Sequence, residues 1–256
     1  MKGYQHLVWL LLCLLALSCQ KDDMPQGYSA SPPPAALEPV QLTQLAAGIH
    51  EQTAALPSGG TLRYTVSVPD SYDPKTPVPV VVALHYGGEV TPFYGRGMID
   101  ELVEPALHDL EAVVISPDSL GGDWTSSLNE QAVVWLTRSV MKGYAINPKQ
   151  VLLTGFSMGG KGTWFIGSRN QDLFTVAIPI AGEPAGGLDW KIPIYAIHSS
   201  ADEVVPIGPA RSHVDNLKAR GVTAEFKTVA GPTHYQTTEY AAPLKDAVPW
   251  LLQVWK

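Results

Sequence analysis

Short apolar segments alternate along this chain with stretches of helical periodicity, and this alternation restricts the fold more than any other feature of the sequence. Residues 80–84 and 176–180 are continuous apolar runs, typical of strands that are buried on both faces. Strands that alternate with helices form βαβ units, and hence a mostly parallel sheet with helices on both faces. We therefore predict an α/β fold. The other predicted strands are 49–56, 61–68, 112–115, 151–153, 192–197 and 222–229, and the predicted helices are 99–110, 130–144, 158–169, 209–220 and 240–256.

The first residues of the chain predict a signal peptide, residues 1–18, rather than part of the fold. Lys2 is followed by an apolar run over residues 7–17, which is shorter than the ~20 apolar residues that span a bilayer. The run ends at Ser18 and Cys19, and small residues before a cysteine resemble the lipobox of bacterial lipoproteins. This resemblance implies that Cys19 is lipidated and that the protein is exported and anchored to the outer membrane. The Lys and paired Asp residues at 21–23 resemble tethers that accompany display on the cell surface.

The remainder of the chain divides into a tether, residues 19–39, and one domain, residues 40–256. The tether is rich in Pro, Ser and Ala, which favours an extended spacer. The domain is long enough to bury a sizeable core. After removal of the signal peptide, Cys19 is the single cysteine, so no disulfide forms within the chain. The formal net charge of -7 argues against nucleic-acid binding, which requires a basic face.

The sequence Gly-Phe-Ser-Met-Gly at residues 155–159 lies directly after a predicted strand and directly before a predicted helix. In this context the G-x-S-x-G pattern predicts a sharp turn that presents Ser157 above the sheet in a strained conformation. The turn is so tight that only small residues fit at Gly155 and Gly159. At a helix N-terminus, the helix dipole also favours developing negative charge. The pattern therefore predicts Ser157 as a nucleophile.

A serine nucleophile needs a histidine base and an acid that orients the histidine, and in this fold they follow the serine in the order acid, then histidine. Asp202 and Glu203 follow the strand at 192–197, and we favour Asp202 by its spacing from the strand end. His234 follows the last predicted strand and is the preferred base. Its rivals are His198, expected to be a structural histidine at a strand end, and His213, expected on the surface of a helix.

The intermediate of such a reaction carries a negative oxygen that needs two backbone N–H donors. Met158, directly after the serine, is the first predicted donor. The second comes from the loop after the strand at 80–84, where Tyr86 and Gly87 are both candidates and Gly87 is slightly favoured. Tyr86 and Trp124 are also predicted to line the substrate pocket, although core packing is an equal alternative for Trp124.

With these residues and motifs, the chain resembles the lidless bacterial α/β-hydrolase esterases. This group includes carboxylesterases, dienelactone hydrolases, predicted peptidases and polyhydroxybutyrate-depolymerase-like feruloyl esterases. The resemblance extends from about residue 60 to the end. Those families usually have Gly at the positions of Tyr86 and Ser199, where this chain departs from them. The matching segments are 84–89, 154–160, 162–164, 198–206 and 232–234.

The resemblance implies an α/β-hydrolase fold without a cap domain and a serine esterase with a Ser-His-Asp triad, acting through an acyl-enzyme. Residues 181–191 lie between two predicted strands and are too few for a helical cap, so we predict an open cleft. The expected substrates are short-acyl or aromatic-acid esters, including carbohydrate-linked ones. We expect no cofactor, no metal site and no nucleic-acid partner, and contact with the membrane through the lipid anchor only. Two alternatives remain: a serine peptidase of the prolyl-oligopeptidase type and a non-catalytic binding lipoprotein.

Overall fold

A computed structural model describes residues 35–256 of the chain. The predicted signal peptide, the predicted lipidation site at Cys19 and most of the predicted tether lie outside these residues. No helix in the described part has the length and apolar character needed to cross a bilayer.

The domain is built on an eight-stranded sheet in the order β1-β2-β4-β3-β5-β6-β7-β8. β1 and β2 form an antiparallel hairpin around the turn over residues 57–60, and β2 is also antiparallel to β4. Every later pair is parallel, which confirms the predicted mostly parallel sheet. The strands are β1 (Gly48–Ala55), β2 (Thr61–Val68), β3 (Val78–Leu84), β4 (Val113–Pro117), β5 (Ile146–Phe156), β6 (Val176–Ile180), β7 (Ile194–Ser199) and β8 (Ala224–Val229).

Helices cover both faces of the sheet, as predicted. The first is a composite of α1 (Arg96–Met98), a π-helical turn (Ile99–Val103), α2 (Glu104–Leu107) and a 3₁₀ turn (His108–Leu110). Ser126 caps the next helix, accepting a hydrogen bond from the Asn129 N–H, so that helix begins three residues earlier than predicted. The remaining helices are α3 (Ser127–Gly143), α4 (Met158–Arg169), α5 (Ile207–Ala219), a 3₁₀ turn (Thr237–Tyr240), α6 (Ala241–Asp246) and α7 (Val248–Val254).

Alternation along the strands divides the buried apolar side chains between two cores, one on each face of the sheet. In β3, Val80, Val82 and Leu84 point into one core, while Val81 and Ala83 point into the other. Helices α3, α4 and α5 cover the first core, and the composite helix, α6 and α7 cover the second. A sheet buried on both faces presents its functional groups at the carboxyl ends of its parallel strands.

The described end of the predicted tether, residues 35–39, lies along the domain instead of extending away from it. The Glu38 carbonyl accepts a hydrogen bond from the Trp135 indole, and Lys142 donates to the Pro39 carbonyl. Leu37 packs against the core beneath α3. Extended backbone leaves its carbonyls unpaired, so polar side chains on α3 can fix the segment to the surface.

Residues 181–193, which connect β6 to β7, contain neither helix nor strand. The fold therefore carries no cap at the position where a cap would be inserted, as the sequence predicted. The carboxyl ends of β5, β7 and β8 consequently open towards the same exposed edge of the sheet.

His213 lies on the predicted helix, α5, but the expectation that it is a surface residue was wrong. Its Nε2 atom is buried without a hydrogen-bond partner, and its ring stands edge-on to Trp164 with centroids 4.9 Å apart. Burial lowers the pKa of His213 to about 4. The imidazole is therefore partly buried against α4 and neutral at neutral pH.

Candidate active site

Ser157 occupies the sharp turn between β5 and α4. It adopts φ 56° and ψ -115°, in the left-handed half of backbone space that residues other than glycine seldom enter. A Cβ at Gly159 would collide with the Leu84 carbonyl, and one at Gly155 would collide with the Gly159 carbonyl. The two glycines therefore let the turn pack tightly against β3, which holds Ser157 at the carboxyl edge of the sheet.

Three of the predicted side chains meet at this edge in a continuous hydrogen-bonded row. Ser157 Oγ lies 2.7 Å from His234 Nε2, and His234 Nδ1 lies 2.8 Å from Asp202 Oδ2. Because a carboxylate only accepts hydrogen bonds, the Nδ1 atom must carry a hydrogen in this arrangement. The Nε2 atom of the neutral imidazole is then left to accept the hydroxyl hydrogen of Ser157.

The Asp202 carboxylate is fixed on both of its oxygens, and its side chain is fully buried. Oδ1 accepts the N–H groups of Val204 and Val205 at 3.0 Å and 2.7 Å, while Oδ2 faces His234. Burial raises the pKa of Asp202, but the hydrogen bonds from His234, Val205 and Val204 outweigh burial and hold the pKa below its ordinary value. Asp202 is therefore held as the carboxylate.

The two residues that competed with Asp202 and His234 have different surroundings. The Glu203 carboxylate accepts the backbone N–H of His234 at 3.1 Å and does not contact the imidazole nitrogens. His198 Nε2 lies 2.9 Å from the Val205 carbonyl and 3.3 Å from Asp202 Oδ2, and no hydrogen bond joins it to Ser157 in the described residues. Burial lowers the pKa of His198, so it is a neutral neighbour of the acid.

The loop after β3 places a peptide unit beside the start of α4. Met158 is the first residue of α4, so its N–H has no acceptor within the helix. A Cβ at Gly87 would lie 3.8 Å from the Met158 Cβ, so the two backbones approach each other closely. His85 Nδ1 lies 2.7 Å from the Tyr86 carbonyl, while His85 Nε2 accepts the Ser119 N–H. The peptide between Tyr86 and Gly87 is trans, so the Gly87 N–H points away from His85.

A cavity of about 470 Å³ opens next to Ser157, within the size range of small-molecule sites. Apolar and aromatic side chains form most of its wall, and Val204 and Tyr235, 47% and 79% exposed, stand at its mouth. The described lining residues are Tyr86, Gly87, Glu101, Phe156, Ser157, Val204, His234, Tyr235 and Thr237. Tyr86 therefore lies where the sequence predicted a pocket residue.

Trp124 does not line this cavity, which corrects the prediction that it walls the substrate pocket. The side chain is 1% exposed, and its indole N–H donates to the His85 carbonyl at 2.9 Å. The absence of a side chain at Gly162 leaves the space that Trp124 fills against α4. Trp124 thus supports the loop after β3 from within the core.

Glu101 is one of the lining residues that sequence reasoning missed, together with Phe156, Val204, Tyr235 and Thr237. It lies on the π-helical turn of the composite helix, whereas the sequence predicted a regular helix there. Regular periodicity gives no signal for a π turn, so neither the turn nor the direction of Glu101 could be found from the pattern. In the described residues, no group of three His, Cys, Asp or Glu side chains is arranged as metal ligands.

The amino-acid sequence matches the model of a known protein family. The model of the dienelactone hydrolase family matches residues 103–247, more than half of the chain. The chain belongs to the dienelactone hydrolase family. The match includes Ser157, Asp202 and His234, while the loop containing Tyr86 and Gly87 precedes it.

Two fungal proteins are among the similar curated proteins. Feruloyl esterase D of Neurospora crassa is 27% identical over 180 residues, which covers 62% of this chain and 60% of that protein. Feruloyl esterase C of Emericella nidulans is 23% identical over 159 residues, covering 56% of each. The chain thus spans less than two thirds of the length of these relatives.

Solved esterase structures share the fold. A thermostable esterase superposes with a TM-score of 0.68 at 24% identity, covering 80% of this chain and 62% of that one. The S-formylglutathione hydrolase of Staphylococcus aureus superposes with a TM-score of 0.64 at 14% identity, covering 80% of this chain and 100% of that one. Together with the strand order, these similarities identify the α/β-hydrolase fold.

Proposed function

We propose that this protein is a serine hydrolase of carboxylic esters. The observation that carries the proposal is the row from Ser157 through His234 to Asp202, with separations of 2.7 Å and 2.8 Å, at the wall of a 470 Å³ cavity. A nucleophile bonded to a base that is itself oriented by a buried acid is the arrangement that acyl transfer requires. Family membership and the feruloyl esterase relatives support the same reaction class.

In the proposed reaction, Ser157 Oγ attacks the ester carbonyl carbon while His234 Nε2 takes the hydroxyl proton. The resulting imidazolium is stabilised by the Asp202 carboxylate. His234 then returns the proton to the departing alcohol, which leaves an acyl group on Ser157. Water, deprotonated by His234, attacks this acyl-enzyme, and His234 returns the proton to Ser157 Oγ as the acid leaves.

The negative oxygen of each tetrahedral intermediate would be bound by the N–H groups of Met158 and Gly87. Met158 qualifies by its place at the start of α4, and Gly87 is preferred to Tyr86 because the Tyr86 carbonyl is turned to His85. Preorganised backbone donors at such a position contribute on the order of 10² to 10³ in rate each.

The substrates we propose are esters of short-acyl or aromatic acids, including esters of carbohydrates. The cleft has no cap, so a long acyl chain would leave its distal methylenes in water and lose ~0.8 kcal/mol for each one. An aromatic acid fits beside Phe156 and Tyr86, and a polar alcohol can extend past the exposed ring of Tyr235 into solvent. The names of the feruloyl esterase relatives agree with an aromatic acyl group.

We expect kcat/KM for p-nitrophenyl esters to be highest between C2 and C6 and to fall by at least about tenfold at C12, because the open cleft cannot bury the longer chain. The measurement is a series from C2 to C16, with methyl ferulate and a peptide p-nitroanilide in parallel. A maximum at C10 or beyond would contradict the open-cleft argument. Faster cleavage of the anilide than of every ester would favour a peptidase, and no reaction with a fluorophosphonate probe would favour a binding protein.

We also propose that the protein is exported and lipid-anchored through Cys19 to the outer membrane. The apolar run that ends at Ser18 and Cys19 supports this proposal. The name of a fungal relative, an uncharacterized secreted protein of Arthroderma benhamiae, supports export alone. Single acyl chains bind membranes only marginally, so stable anchoring requires a multiply acylated cysteine. We expect Cys19→Ser to release the protein into the soluble fraction. An unmodified Cys19 in the mass spectrum of the mature N-terminal peptide would refute the proposal.

A further inference from the structure

The carboxylate of Glu101 is the single acidic side chain among the described lining residues of the cavity. Tyr86 donates its phenol hydrogen to Glu101 Oε2 at 3.2 Å. Burial, reinforced by the neighbouring Glu101 charge, raises the pKa of Tyr86 to about 12, so the phenol remains a donor at neutral pH. A side chain at Gly97 would press on this phenol, since a Cβ there would lie 2.9 Å from its oxygen. The Tyr86 phenol therefore packs closely against Gly97 while it binds Glu101.

Glu101 retains capacity to bind a ligand. In the described part of the chain, the Tyr86 phenol is the single hydrogen-bond donor that reaches this carboxylate. An ionised carboxylate has about four acceptor positions, so most of them remain free. The described lining residues include no Lys or Arg that could neutralise the charge. The Glu203 and Asp202 carboxylates add negative charge on the side of the cavity that holds His234.

We propose that Glu101 selects the substrate of this cleft by accepting a hydrogen bond from a hydroxyl group of an uncharged ester and by repelling esters that carry a carboxylate. The proposal rests on the proposed esterase function and adds the substrate class. Carboxylate acceptors form stronger hydrogen bonds than neutral ones, and two like charges held within a few ångströms of each other repel, although solvent weakens the repulsion.

The position of Glu101 fits a phenolic acyl group in particular. Tyr86 belongs to the loop that supplies the Gly87 N–H, and its side chain reaches from that loop to the Glu101 carboxylate. An aromatic acyl group could bind with its carbonyl oxygen at the Gly87 N–H and its ring alongside Tyr86. It would then extend about as far from Gly87 as the Tyr86 side chain does. A hydroxyl at the far end of that ring would then lie near the same carboxylate.

The test compares three aryl esters that differ at one position: methyl cinnamate, methyl 4-hydroxycinnamate and methyl 4-carboxycinnamate. For the unmodified protein we expect kcat/KM for the hydroxy ester to exceed that for methyl cinnamate by about tenfold, as one hydrogen bond to a charged group provides. The carboxy ester should be the poorest of the three. Comparing ratios within each variant removes any general loss of activity.

Two substitutions of Glu101 distinguish the hydrogen bond that it accepts from the charge repulsion that it exerts. Glu101→Ala should reduce the preference for the hydroxy ester to about one. Glu101→Gln retains an uncharged acceptor, so it should keep part of that preference while the relative rate for the carboxy ester rises by about tenfold. The matched control is Glu104→Gln, because Glu104 lies three residues further along, binds His108 at 2.9 Å and does not line the cavity. Its ratios should equal those of the unmodified protein.

The inference would be overturned if the kcat/KM ratios between the three esters in both Glu101 variants stayed within about twofold of those of the unmodified protein. A hydroxy ester no better than methyl cinnamate in the unmodified protein would also overturn it. In either case, hydrolysis of p-nitrophenyl acetate would leave the proposed esterase function standing. Failure of the unmodified protein to hydrolyse any ester or to react with a fluorophosphonate probe would instead reject the proposed function itself.

Discussion

Replacement of Ser157 by alanine is expected to lower kcat for ester hydrolysis by at least about 10⁴-fold. The substitution removes the atom that would form the acyl-enzyme in the proposed mechanism. The other hydroxyl groups of the described lining, on Tyr86, Tyr235 and Thr237, have no hydrogen bond to His234 and cannot replace it. The residual rate would come from the two backbone donors and from substrate binding, which Ser157→Ala leaves in place. The measurement is kcat for p-nitrophenyl acetate.

The same variant should fold normally, because the Ser157 hydroxyl contributes one hydrogen bond, to His234, and the tight turn depends on Gly155 and Gly159. The unfolding midpoint should therefore stay close to that of the unmodified protein, and labelling by a fluorophosphonate probe should disappear. Ser168→Ala is the matched control, because Ser168 lies on α4 and its hydroxyl bonds only to the Phe165 carbonyl of the same helix. A folded Ser157→Ala protein that retained most of its kcat would remove Ser157 from the mechanism.

The sequence was most informative where one residue type is required by local geometry. The strand-turn-helix context predicted a strained Ser157 between two glycines, and the structure gives Ser157 a positive φ with Gly159 packed against the Leu84 carbonyl. The continuous apolar runs predicted a parallel sheet, because residues buried on both faces must all be apolar. The chain order of serine, acid and histidine placed three residues in separate loops, and the sheet brings those loops to one edge.

The sequence was less informative where a residue's environment depends on packing between distant elements. Trp124 could have faced the cavity or the core, and its burial is decided by the space that Gly162 leaves on α4. Ser199 was noted as a departure from related families, but its contact with the Pro232 carbonyl, which joins the acid and histidine loops, requires β7 and β8 to be neighbours. The π turn that turns Glu101 into the cavity has no signature in the periodicity.

Asp202→Asn should lower kcat by about 10⁴-fold although the side chain keeps its shape. The reason is the fixed pattern of donors around the acid. The N–H groups of Val204 and Val205 bind Oδ1, so an asparagine must direct its carbonyl oxygen to them and its NH₂ group to His234. His234 Nδ1 must then accept a hydrogen bond, which moves the imidazole hydrogen to Nε2. In that tautomer His234 cannot accept the Ser157 proton.

Glu203→Gln is the matched control, since Glu203 is adjacent and changes from carboxylate to amide in the same way. Among the described residues it binds only the His234 backbone N–H, at 3.1 Å, and a glutamine oxygen can accept that hydrogen bond equally well. Its kcat should therefore remain within a few-fold of the unmodified protein, because the imidazole keeps its tautomer. The measurement is kcat for p-nitrophenyl acetate at neutral pH, with the unfolding midpoint of each variant as a check on folding. If Glu203→Gln proved more damaging than Asp202→Asn, the orienting acid would be Glu203, and the contact at 2.8 Å between Asp202 and His234 would have only a structural role.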